Sequence, residues 1–260
     1  MTLSRSIPNV AGNVLAYVVM LGTNALANIL PINGQMTGEI SDRFQSMFTP
    51  AGFTFSIWGV IYLGLFFFII VQALPRFRHS EVLARIDRLF QVNCLLNAGW
   101  ILAWHYNLLL LSMAIMLGIL ATLVIIHRTL SDDRAPVGPV FWTSVRLPMS
   151  IYFGWICMAT IANISVLQSV WDLNDFLVSE TIWTLLKLLV AATVGFVVYR
   201  SSRDAAFIGV IAWAAYGIQA SQPDGSVIGI VAMILSGVCV LGIVAHIVMR
   251  AMGGRYSQTT

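Results

Sequence analysis

Pro50–Tyr62, PAGFTFSIWGVIY, is the stretch whose reading decides the fold. It opens an uncharged, largely apolar run that continues to Leu74 and so reads as the mouth of a membrane-spanning helix. Phe53, Phe55, Trp58 and Tyr62 give that mouth an aromatic lining. Trp58 and Tyr62 are four residues apart, so they stack on one helical face. Two readings fit this segment alone. One is the aromatic belt that membrane helices carry at their interfaces; the other is half of an aromatic ligand pocket, which needs matching helices elsewhere.

Composition settles the solvent. The 260 residues are 58% hydrophobic and 10% charged, against about 25% charged in a soluble domain. With a mean hydropathy of +0.85, there is more apolar surface than one core can hide, so lipid is the partner for most of it. The formal charge of +3 comes with arginines scattered at segment ends, which excludes a nucleic-acid partner. Cys94, Cys157 and Cys239 sit singly in apolar runs and read as packing residues, with no metal spacing among them. Arg5, an apolar run and Ala25-Leu26-Ala27 imitate a secretory signal, but the run from Val10 to Leu30 is long enough to span and reads as a retained first helix.

At roughly 20 apolar residues per span, the chain divides into eight helices near 10–30, 52–74, 86–104, 108–127, 147–167, 178–199, 205–221 and 226–249. The third is the weakest by hydropathy because Arg85, Asp87 and Arg88 occupy its first turns. Loop charge tests the count. With the N-terminus inside, Arg5, Arg76, Arg78, Arg85, Arg88, Arg128, Arg134, Arg146, Arg200, Arg203, Arg250 and Arg255 all fall on the cytoplasmic side, and only Arg43 falls outside. That bias predicts both termini in the cytoplasm; the membrane is expected to be a bacterial inner membrane. The turn from Asp132 to Pro136 reads as an ordinary cytoplasmic loop.

The matching helices exist. Asn93, Asn97, Trp100 and Trp104 recur at intervals of four, three and four, so two amides and two indoles share one face. Unpaired amides cannot comfortably face lipid, and this face turns inward, either to bond between helices or to anchor a ligand. Tyr152, Trp155, Ala159 and Asn163 form a second stripe, with small Ala159 and Ala162 permitting close approach. The first segment adds Asn13, Asn24 and Asn28, with Pro31 ending it.

On these residues the chain resembles the TspO/MBR family, the tryptophan-rich sensory proteins that include the translocator protein, or peripheral benzodiazepine receptor. That family has a proline-led entry to its second helix followed by W-x-x-x-Y, here Trp58 and Tyr62. It has L-N-x-x-W on the third helix, here Leu96, Asn97 and Trp100. On the fifth it has the spacing shown by Tyr152, Trp155, Ala159 and Asn163. The sequence departs in keeping one proline, Pro50, of a pair, in spacing Phe53 and Phe55 one residue nearer Trp58, and in carrying Ile151 where the family has proline. The resemblance covers only residues 1 to about 168, and the last three helices have no counterpart in the five-helix family core.

The resemblance implies a five-helix membrane core at 1–168, and the apolar segments add three further spans with a short tail at 169–260, together an all-α polytopic bundle. It implies a pocket between helices one, two, three and five, holding a porphyrin (tetrapyrrole) or sterol-like ligand by Phe53, Phe55, Trp58, Tyr62, Asn97, Trp100, Tyr152, Trp155, Ala159 and Asn163. Rings to stack on and an amide to fix one polar group suit a flat, mostly apolar molecule. The role is then sensor, carrier or regulator. There is no catalytic set: no Ser-His-Asp grouping, no metal-spaced cluster and no carboxylate deep within a span. His105, His127 and His246 read as interfacial or hydrogen-bonded rather than as haem ligands.

Lys187, the only lysine, falls inside the sixth segment, where an ionised group costs about 2.5–3.5 kcal/mol or more. It pairs with backbone carbonyls or Glu180, serves a transport pathway, or carries a covalent chromophore as a Schiff base. A transporter or permease, and a structural subunit of a larger membrane complex, are therefore the rival functions. Homodimer and larger assembly both stay open, and Gly229, Gly237 and Gly242 would permit close packing of the last helix.

Overall fold

The computed structural model describes residues 7–30, 32–44, 46–77, 79–132 and 138–256, with side chains to residue 252 except that of Asp42. Pro31, Arg5, Arg78, Arg134, the Asp133–Pro136 part of the expected turn and the side chain of Arg255 lie outside this description.

Among the described residues all regular secondary structure is helical. The helices are α1 (Ile7–Ile29), a short α2 (Thr37–Arg43), α3 (Ile57–Ala73), α4 (Glu81–His105), α5 (Leu109–Asp132), α6 (Pro139–Val170), α7 (Glu180–Ser202), α8 (Ala205–Ser221) and α9 (Val227–Tyr256). Eight of them answer to the eight expected segments. Six regions have the length and apolar composition to cross a membrane: α1, Gly52–Ala73, α5, α6, α7 and Val227–Met252. Helix α8 is apolar but has only 17 residues, and α4 carries Glu81, Arg85, Asp87 and Arg88 at its start.

Local chemistry sets the ends. The Ser80 hydroxyl accepts the Leu83 N–H at the start of α4, and Asp204 does the same for Phe207 at the start of α8, the role in which short polar side chains cap helices. Asn107 turns with φ 55° between α4 and α5, a left-handed conformation that asparagine tolerates. Helix α6 begins earlier than expected, with Pro139 in its first turn. It widens over Trp142–Arg146, where the Leu147 N–H reaches back to the Trp142 carbonyl. This single wide turn sits directly before Pro148, which has no N–H to donate.

The chain forms two compact units. The first comprises residues up to Ser46 together with Phe55–Leu173; the second comprises Met47–Thr54 and the residues from Asn174 onward. In the first, α1 packs on α4, α4 on α5, α5 on α6, α6 on α3 and α3 on α1, so five helices close into a ring. Gly64 makes one of these contacts possible: a Cβ there would lie 2.9 Å from the Cβ of Pro148. In the second unit α7, α8 and α9 pack on one another. The strap Met47–Thr54 is tied to this hairpin, with the Ala51 N–H donating to the Gly217 carbonyl at 2.9 Å and the Met47 N–H to Glu180 at 2.9 Å.

Candidate functional site

Inside the five-helix ring the expected rings meet. Tyr62 stacks on Trp58 at 5.4 Å, Trp58 on Trp100 at 6.5 Å and Trp100 on Trp104 at 5.8 Å, giving a row of four rings from α3 to α4. Helix α6 closes the row edge-on: Tyr152 and Trp155 stand 5.9 and 6.3 Å from Trp58. Phe55 meets Trp155 edge-on at 5.8 Å. These are the separations at which aromatic pairs attract. Trp100, Tyr152 and Trp155 are buried, while Trp58, Tyr62 and Phe55 are half-buried.

Asn97 is fully buried and fully used. Its amide donates to the Tyr152 hydroxyl at 2.9 Å, and its carbonyl accepts from Asn24 at 2.8 Å. The Tyr17 hydroxyl donates to the backbone carbonyl of Tyr62 at 2.8 Å. By contrast, the indole N–H groups of Trp100 and Trp155 are buried and meet no acceptor among the described residues. A buried donor left without a partner costs about 1–3 kcal/mol. The site therefore presents stacked rings and two unused donors.

Three expected residues lie elsewhere. The Phe53 ring packs on Trp213 at 5.5 Å and Tyr216 at 5.8 Å, within the second unit. Asn163 donates to the Ala159 carbonyl of its own helix and accepts from Ser112 of α5 at 3.4 Å. Ala159 lies one turn beyond Trp155 on α6. Asn93, on the same α4 face as Asn97, donates instead to Thr122 on α5 at 2.8 Å.

A second polar node escapes sequence reasoning. Asp87, expected in the first turns of its helix, is fully buried. Asn13 donates to Asp87 and to Gln72, each at 2.7 Å, and accepts from Gln91 at 2.9 Å. The asparagine on α1 thus gathers residues of α3 and α4. The node's signal in the sequence was Asn13, one of the asparagines of the first apolar segment.

Among the described residues no group of histidine, cysteine, aspartate or glutamate is placed to hold a metal ion. His105 is buried, with Nδ1 at 2.8 Å from the Ile101 carbonyl, and His246 Nδ1 lies 3.1 Å from the Tyr199 hydroxyl.

The model of the family described as TSPO-like protein matches residues 9–245. The match runs into the last helix, so the family likeness does not end near residue 168 as expected but takes in the last three helices as well. No curated protein and no solved structure matches the chain.

Proposed function

The chain belongs to the TSPO-like protein family, and on that premise we propose that it binds a flat hydrophobic ligand, a tetrapyrrole or a sterol-like molecule, within the five-helix ring. It acts as sensor, carrier or regulator of that ligand. The observation that carries the reading is the pair of unused indole donors beside a row of stacked rings. The rings favour a planar apolar body. The donors favour acceptor oxygens on its edge, such as porphyrin carboxylates or a sterol hydroxyl.

Titrating the detergent-purified protein with protoporphyrin IX, followed by tryptophan quenching, tests this. Trp155→Phe keeps a ring and removes one donor. One hydrogen bond contributes about 0.5–1.5 kcal/mol, so affinity should fall roughly two- to tenfold. Undiminished affinity in that variant would remove Trp155 from the site.

We propose a bacterial inner membrane as the location, and by the distribution of basic residues we place the arginine-rich loops and both termini on its cytoplasmic side. A fluorescent-protein fusion at the C-terminus should then fluoresce; a dark fusion together with an active periplasmic reporter would reverse the orientation.

A further inference from the structure

Where α7 gives way to α8, the second unit gathers positive charge. Arg203 ends α7 with φ 53° and its N–H bonded to the Tyr199 carbonyl at 2.9 Å, a left-handed position that favours glycine. The residue standing there is an arginine, and its guanidinium carbon lies 5.6 Å from the centre of the Tyr199 ring. A cation held over an aromatic face in this way is attracted to it. Lys187 lies more than three turns earlier, on the buried face of α7, and takes no part in this cluster.

The same tyrosine reaches α9. Its hydroxyl lies 3.1 Å from His246 Nδ1, with the two ring centres 5.8 Å apart. Arg250 follows His246 by four residues and so shares its face of α9. Arg203 and Arg250 are both near enough to His246 to act on it through space. The aspartate at this level is otherwise engaged: Asp204 accepts the Phe207 N–H at 3.1 Å as the cap of α8. Among the described residues none forms an ion pair with Arg203, with Arg250 or with the exposed Arg200.

Below the charge lies surface made for lipid. Phe196 and Val197 are exposed one turn before Arg200 on α7, and Val244 and Ile247 are exposed just before Arg250 on α9. Guanidinium groups present paired donors that match phosphate oxygens, and an exposed apolar strip receives acyl chains. A soluble anion would use only the first of these; an anionic lipid uses both. We propose that the joined ends of α7 and α9 bind the headgroup of an anionic phospholipid, with Arg203 and Arg250 holding its phosphate oxygens. The Tyr199–His246 contact keeps the two arginines on one rim.

Native mass spectrometry of the full-length protein in detergent tests this, with dioleoylphosphatidylglycerol and dioleoylphosphatidylcholine as probes that share their acyl chains. The anionic lipid should bind roughly twentyfold more tightly, and Arg203→Gln and Arg250→Gln should each reduce that preference about fivefold. The double variant should bring the two lipids close to parity. Arg128→Gln, which removes an exposed charge at the end of α5, should leave the preference unchanged. So should Trp155→Phe, which lets this site and the one within the ring stand or fall separately. Equal binding of the two lipids, a preference retained in the double variant, an equal loss in Arg128→Gln, or displacement of dioleoylphosphatidylglycerol by equimolar inorganic phosphate would overturn the proposal. If the double variant fails to fold, the single variants decide: an unchanged preference in both overturns it equally.

Discussion

Asn97 of α4 donates to the Tyr152 hydroxyl of α6 at 2.9 Å while accepting from Asn24 of α1 at 2.8 Å, so one amide ties three helices of the ring together. Tyr152→Phe keeps the edge-on contact with Trp58 but leaves a buried amide hydrogen without its acceptor. The cost should be about 1–3 kcal/mol, read as a lower Tm in detergent. An unchanged Tm would mean that the bond adds nothing to stability.

Asn13 is saturated by Gln72, Asp87 and Gln91. Asn13→Leu is close in size yet removes all three bonds, one of them to a carboxylate. A single hydrogen bond to a charged group contributes about 1.5–3 kcal/mol, so this variant should lose more stability than Tyr152→Phe. Equal or smaller loss would show that the node is dispensable.

Gly217→Ala places a methyl group against Thr54, 2.0 Å from its hydroxyl oxygen and 2.8 Å from Cγ2. Overpacking of this kind costs about 1–3 kcal/mol. Thr54→Ala in the same chain removes both of those atoms and should restore part of the lost Tm. No recovery in the double variant would refute the close approach of strap and helix.

Gly64→Ala tests the same principle in the five-helix ring, where the new Cβ would lie 2.9 Å from the Pro148 Cβ. A proline ring cannot swing aside as a flexible side chain does. Thermal stability should drop by about 1–3 kcal/mol. The variant should also bind protoporphyrin IX less tightly, because α3 carries Trp58 and Tyr62 while α6 carries Tyr152 and Trp155; full retention of both properties would count against this contact.

Much of the candidate site was legible because helical spacing is a one-dimensional property. The recurrence of Asn93, Asn97, Trp100 and Trp104 on α4 identified a buried face, and the structure buries all four. The four-residue spacing of Trp58 and Tyr62 foretold their stacking. Spacing could not tell which neighbour each residue would meet. Asn93 and Asn97 share a face, yet one bonds to α5 and the other to α1 and α6. Phe53 and Phe55 are two residues apart, yet the first packs on Trp213 and the second on Trp155.

The sequence by itself determined the solvent, the helices and their inward faces, because hydrophobicity and the 3.6-residue period act within each segment. Only the tertiary structure decided the cyclic order of α1, α4, α5, α6 and α3, the capture of Met47–Thr54 by the second unit, and which polar groups find partners. Those outcomes depend on pairs distant in the chain, such as Asn13 with Asp87 and Gly217 with Thr54. Whether a buried donor is paired is fixed by such meetings and by nothing local.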